Sequence, residues 1–244
     1  MKKSISADGT PHFFLGENDR CPHLDECGLC NIITEMGEEY LCDICREHPR
    51  FYNFTNVSEV GIGMSCPEAA RVILSSGDYT EFYEIGCVDA VGSVSFDGVG
   101  ERGAVYEILS NESLEYSNRL REIYKKYSVP PREDAFYLEQ LDSLEYLNGE
   151  HKAMFMNYSA SRRSSENDIH YERFLGYLIY RHCTEAYDIE DFSARLGFCL
   201  FCERLLASLA FSCGAKSLEG ISHLASIISE ELEYSEENTF ALTY

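Results

Sequence analysis

Cys66-Pro67-Glu68-Ala69-Ala70-Arg71-Val72-Ile73-Leu74 is where the chain changes character. Proline suits the first helical position, because the N–H it lacks would be unpaired there anyway. The acid behind it complements the positive end of the helix dipole, so a helix is expected to start at Pro67. Cys66 then falls at the N-cap, where a thiolate faces unpaired backbone N–H groups and is readied as a metal ligand. Before this point the chain is rich in Gly, Asn, Asp and Cys. Its apolar pieces are short, at residues 12–15 and 60–64, and read as small strands. After it the pattern is helical. Helices are expected over 105–127 and 134–147, separated by Pro130-Pro131, and over 169–187, 190–213 and 218–233, with Gly214 punctuating the last two. The glycine-rich stretch 87–103 reads as a loop or small hairpin, and 150–166 reads as a loop. The expected fold is mainly α: a loop-rich N-terminal cysteine segment with small strands, residues 1–75, followed by a helical domain, residues 76–244.

Upstream of the switch, five cysteines crowd together in the order Cys21-x5-Cys27-x2-Cys30-x11-Cys42-x2-Cys45. Short paired spacings let one loop present two sulfurs to the same ion, and thiolates favour zinc or iron in a cluster. A disulfide framework is the alternative. Residues 1–10 lack the apolar core of a secretory signal, so a reducing cytoplasm is expected and metal binding is the reading preferred. His23, and His48 three residues beyond Cys45, are candidates to complete a mixed site or to support its ligands by hydrogen bonds; His12 also flanks the region.

Composition sets limits. The 244 residues, 45% hydrophobic and 13% aromatic, are enough for a sizeable core, so metal need not be the only source of stability. A net charge of −22 argues against nucleic acid, whose phosphates need a basic surface, and suits either plain solubility or a partner that offers lysines. No run of 18 or more apolar residues appears, so no membrane span is expected.

Other motifs take plainer readings. Gly98-x-Gly100-x-x-Gly103 matches a dinucleotide fingerprint in letters, but lacks the preceding apolar strand and the βαβ context. Cys199-Leu200-Phe201-Cys202 lies in an apolar helical run, where cysteine behaves as a small hydrophobe, and Cys87, Cys183 and Cys213 are also expected in the core. No Ser-His-Asp order and no HExxH is present, so hydrolysis has no support.

Cys21-Pro22-His23-Leu24, Gly28-Leu29-Cys30, Gly37-Glu38-Glu39-x-Leu41-Cys42-x-Ile44-Cys45, His48-Pro49-Arg50-Phe51 and Gly61-x-Gly63-x-x-Cys66-x-Glu68-Ala69-Ala70-Arg71 together resemble the flagellin lysine-N-methylase family, within the CxxCxxCC group of zinc- or iron-chelating proteins. The likeness extends to Ser229-x-Glu231-Leu232-Glu233-Tyr234-Ser235-Glu236-Glu237-Asn238, which is similar to that family's closing segment. The resemblance implies methyl transfer to lysine side chains of flagellin or another lysine-bearing protein, with S-adenosylmethionine as donor. It also implies a cysteine-ligated iron-sulfur cluster of the four-iron type, or zinc. By position, Cys21, Cys30, Cys42, Cys45 and Cys66 match the family's cysteines, one more than such a cluster requires; Cys27 falls where the family varies. The family's usual upstream cysteine-rich segment and its Gly-Trp are not in this sequence, which has no tryptophan. That departure favours one alternative, a non-catalytic, metal-stabilised interaction module; a thiol or metal sensor is the other. A methyl transfer would also need a group to take the proton from the lysine. Among 42 acids and 17 tyrosines the sequence singles none out, although Glu68 and Arg71 lie near Cys66.

Overall fold

The computed structural model describes residue 16 and residues 20–76, 78–86 and 95–244. The chain divides into two compact units, Met1–His48 and Pro49–Tyr244.

The first unit holds two short helices, α1 (Asn31–Met36) and α2 (Asp43–Glu47), joined through a 3-10 turn at Glu38–Tyr40. A tight turn precedes α1. The Asp25 carboxylate accepts the N–H groups of Cys27 and Leu29, Gly28 takes φ 81°, and Leu24 bridges to Cys30. Positive φ at Gly28 costs no Cβ clash, which is why the turn can close there. Among the described residues of this unit none is buried.

The second unit is mainly helical. It opens with a hairpin, β1 (Arg50–Phe54) and β2 (Ser58–Ile62), paired antiparallel from Arg50 opposite Ile62 to Phe54 opposite Ser58. The apolar piece at 60–64 thus supplies a strand whose partner is 50–54; the piece at 12–15 lies outside the described residues. Strand alternation sends Asn53 inward, where Nδ2 donates to the Tyr180 carbonyl at 2.9 Å, and sends Tyr52 and Phe54 outward, stacked with centroids 6.2 Å apart. Phe51 meets Tyr177 and Tyr180 edge-on, and Tyr180 OH donates to the Val60 carbonyl.

Helix α3 runs from Pro67 to Ser75 with Pro67 in the first turn and Cys66 at the N-cap, as the sequence indicates. The helix buries Ala69, Ala70 and Leu74. Between α3 and the next helices two expectations need correcting. The glycines at 98, 100 and 103 stand inside a helix, α4 (Gly98–Leu109), started by Asp97, whose side chain accepts the Gly100 N–H. The expected helix over 105–127 is broken: α4 ends at Leu109, Asn111 makes a side-chain turn with Ser113, and α5 (Tyr116–Lys126) follows. Residues 150–166 are not all loop either. Asn148 caps α7 (Gly149–Phe155), which follows α6 (Asp134–Ser143). In each case one Asp or Asn side chain satisfies an N–H or sets a turn, and a local hydrogen bond overrides a composition-based reading.

Helix α8 (Asp168–His182) and the long helix α9 (Ile189–Cys213) form the centre. Helix α9 is capped by Asp188 at its start and by left-handed Gly214 (φ 66°) at its end. It is apolar on all sides, the mark of a core helix: Phe192, Leu196, Phe198, Phe201, Leu205 and Leu209 are all buried. By length and composition it would reach across a bilayer, yet 72% of that apolar window is packed inside the unit. Helix α10 (Leu218–Ile228) continues directly into a π-helical turn, Ser229–Glu233, so the expected helix over 218–233 ends wider than it begins. Helix α11 (Glu236–Thr243) closes the chain, capped by Ser235.

The core also carries buried ion pairs. Arg102 makes a two-point bond to Glu59 (2.8 and 2.7 Å), and its guanidinium lies over Phe82 and Tyr180. Arg119 pairs with Glu172 at 2.9 Å, and Arg163 with the fully buried Glu203 at 2.8 Å. Such pairs stabilise little relative to apolar packing, but each costs heavily if one partner is lost.

Candidate functional site

The cysteine unit brings Cys42, Cys21 and Cys30 to bear on Cys45. Cys42 and Cys45 lie one helical turn apart, at the N-cap and inside α2, which puts both on the same face. They share a hydrogen bond. The Cys45 thiol is pushed up to about 11, first by burial, then by its bond to Cys42 and by the neighbouring charges of Cys42, Cys21 and Cys30. Cys42 is shifted the other way, chiefly by the Cys45 backbone N–H and then by the Cys45 thiol. Thiolates gathered this way repel one another, and a bound cation would reverse that penalty. Among the described residues, no three His, Cys, Asp or Glu side chains stand at metal-ligand spacing. By chemistry the donor set fits a soft or borderline metal centre. Cys27, exposed, is held through its N–H on Asp25. Cys66 belongs to the other unit, at the start of α3, where its side chain makes no capping hydrogen bond. His23 lends its carbonyl to the Asn31 N–H, and His48 follows the end of α2; His12 and Cys87 lie outside the described residues. Glu68 is paired with Arg71 at 2.6 Å on the exposed side of α3, and that bond holds its carboxyl below the ordinary range.

The remaining cysteines divide. Cys183, Cys199 and Cys202 are buried, with the Sγ atoms of Cys183 and Cys199 3.8 Å apart, and burial raises the thiols of Cys199 and Cys202 far above their ordinary value. Cys213 departs from the expectation. At the last position of α9, beside the Gly214 cap, it is exposed.

A second constellation lies wholly in the helical unit. A cavity of about 570 Å³ opens between the end of α8, the hairpin and α11, in the size range of small-molecule sites. At its floor, His182 Nε2 donates to Glu233 Oε2 at 2.9 Å, the tautomer this carboxylate requires. The same oxygen accepts from Tyr177 OH at 3.0 Å and lies 3.4 Å from Arg181 Nε. Burial alone would raise the Glu233 carboxyl, but Arg181 and His182 outweigh it and hold the group below its ordinary range. Burial likewise keeps His182 below its ordinary value, so the ring is neutral. Beside this group, Arg195 Nε donates to both Asp191 oxygens, and Oδ1 also accepts from the Tyr244 hydroxyl.

The π turn is what makes this arrangement possible. Glu231 and Glu233 are two positions apart, and both are fully buried, on different partners: Glu231 accepts from the Leu147 and Asn148 N–H groups and from His151, Glu233 from the end of α8. Such turns are rare and recur at functional sites. Sequence reasoning quoted this segment without assigning it a role. The available signal was a pair of acids flanking Leu232 at the end of an apolar helix, where an unpaired charge would not be tolerated.

No known protein family, curated protein or solved structure matches the chain.

Proposed function

We propose that this protein is a metal-binding protein-lysine N-methyltransferase, acting on flagellin or another lysine-bearing protein with S-adenosylmethionine as donor. The observation that supports it most directly is the Cys42–Cys45 hydrogen bond, with Cys21 and Cys30 near enough to act on Cys45. Those four are the residues that would hold an iron-sulfur cluster or zinc, with Cys66 the further candidate. A bound cluster supplies a thiolate-ligated iron centre that fixes these loops. In the transfer itself the lysine ammonium gives up a proton to solvent, its nitrogen forms a bond to the sulfonium methyl carbon, and the carbon–sulfur electrons return to sulfur as a neutral thioether. The protein's share is to exclude water from the amine and align the reactants.

The lack of buried residues in the described part of the cysteine unit favours one second reading, in which the metal is purely structural and the acidic helical unit docks a partner. Iron, zinc and acid-labile sulfide per chain, measured after anaerobic purification, come first. Labelled methyl transfer to a lysine-rich flagellin segment then separates the two. Incorporation that disappears with Cys45→Ser supports the enzyme; stoichiometric metal with no incorporation supports the structural role.

A further inference from the structure

We infer that the cavity between α8, the hairpin and α11 is a binding site for an alkylammonium group, in practice a lysine side chain presented by a polypeptide. Phe51, Tyr52, Phe198, Phe240 and Tyr244 place five aromatic rings in a lining whose other residues are polar. Ring faces attract cations, the more so where water is thinned out. The two arginines in the lining are already spent. Arg181 holds Glu233 through Nε and the Tyr177 hydroxyl through Nη1, and its guanidinium lies 4.9 and 4.7 Å from the Phe51 and Tyr234 ring centres. Arg195 holds Asp191 through Nε and the His182 carbonyl through Nη1. With Glu233 and Asp191 balanced in this way, the charges left over among the lining residues belong to Glu185 and Glu236, both exposed. Glu185 keeps one oxygen on the Phe54 N–H, and Glu236 has no partner among the described residues. His182 has its Nε2–H committed to Glu233, so its other nitrogen can only accept.

Tyr52 and Phe240 are 45% and 65% exposed, so the aromatic lining continues onto the surface. An apolar chain ending in a cation, arriving on a polypeptide, would cover it. The overall charge of −22 adds long-range attraction for a basic partner. The identification of the ligand as lysine rests on the proposed methyl-transfer reading; the cation preference rests on the lining alone.

The test uses the full chain and no methyl donor. Nα-acetyl-lysine amide and its uncharged isostere Nα-acetyl-norleucine amide are titrated in separate calorimetric and NMR experiments. The lysine compound is expected to bind about tenfold more tightly or better and to shift the His182 ring resonances. The double variant Glu185→Gln/Glu236→Gln should erase that preference, and Phe240→Ala, a surface change, should weaken binding of the lysine compound severalfold. Equal binding of the two amides, or a preference untouched in both variants, would overturn the site. The outcomes separate from those of the methylation assay. Lysine binding here without methyl transfer leaves the site standing and removes the enzyme; methyl transfer whose KM is unchanged in the double variant does the reverse.

Discussion

His182 Nε2 donates to Glu233 Oε2 across 2.9 Å, so the last residue of α8 is locked to the last residue of the π turn. Three groups share that one carboxylate, since Tyr177 and Arg181 reach it too. Glu233→Ala would leave Arg181 buried without a counter-charge, and a loss of about 3 to 5 kcal/mol is expected for an uncompensated buried charge. Chemical denaturation of the wild type and variant gives the figure. A loss below 1 kcal/mol would mean the network contributes little.

The same pair sets a pH dependence. His182 titrates below its unfolded value in the folded protein because of burial. As pH falls through the ordinary histidine range near 6.5, the unfolded chain takes up a proton that the folded one refuses, so stability declines. Glu233, held low, works in the same direction further down: its contribution is present above the unfolded carboxylate value and lost as pH falls through the folded one. The melting temperature should therefore drop between pH 7.5 and 5.5. His182→Gln should flatten much of that slope, leaving a smaller part from the half-buried His170, which is shifted the same way by burial. An unchanged slope in the variant would refute the assignment.

For the cysteines, Cys30→Ser and Cys45→Ser should each lower bound metal and loosen the first unit, whereas Cys199→Ser, buried in α9, should leave the metal content unchanged. Metal content by elemental analysis, with limited proteolysis of residues 20–48, distinguishes these outcomes. Full retention of metal in the first two would end the ligand assignment.

Gly98→Ala tests whether the glycine-rich motif is about packing. A Cβ at Gly98 would press on the backbone carbonyl of Thr184, whose carbon would lie only 2.9 Å away. Backbone cannot swing aside as a side chain can, so a loss of about 1 to 3 kcal/mol is expected. Gly103→Ala meets nothing within 4 Å and should be neutral or slightly stabilising in its helix. Thermal melts of the two variants side by side decide the matter; equal effects would reject the packing role.

By itself the sequence determined a great deal of the local structure. Pro67 behind Cys66 marked the start of α3, and Gly214 marked the end of α9, because proline's fixed φ and glycine's left-handed freedom act whatever surrounds them. The apolar run around Cys199 and Cys202 was legible as core for the same reason: the hydrophobic effect needs no partner to be named in advance. The spacing of Cys42 and Cys45 already put both on one face of a turn. Only the tertiary structure decided the rest. A lone Asp97 or Asn148 turned glycine-rich or polar stretches into helices through one side-chain bond. Cys213 lay beyond the packed length of α9 and came out exposed. Glu233 found His182, Arg181 and Tyr177 only when α8 and the π turn were packed together. Partners some 50 residues apart carry no local signature, because the energy of a buried charge depends on what surrounds it in space and not on its neighbours along the chain.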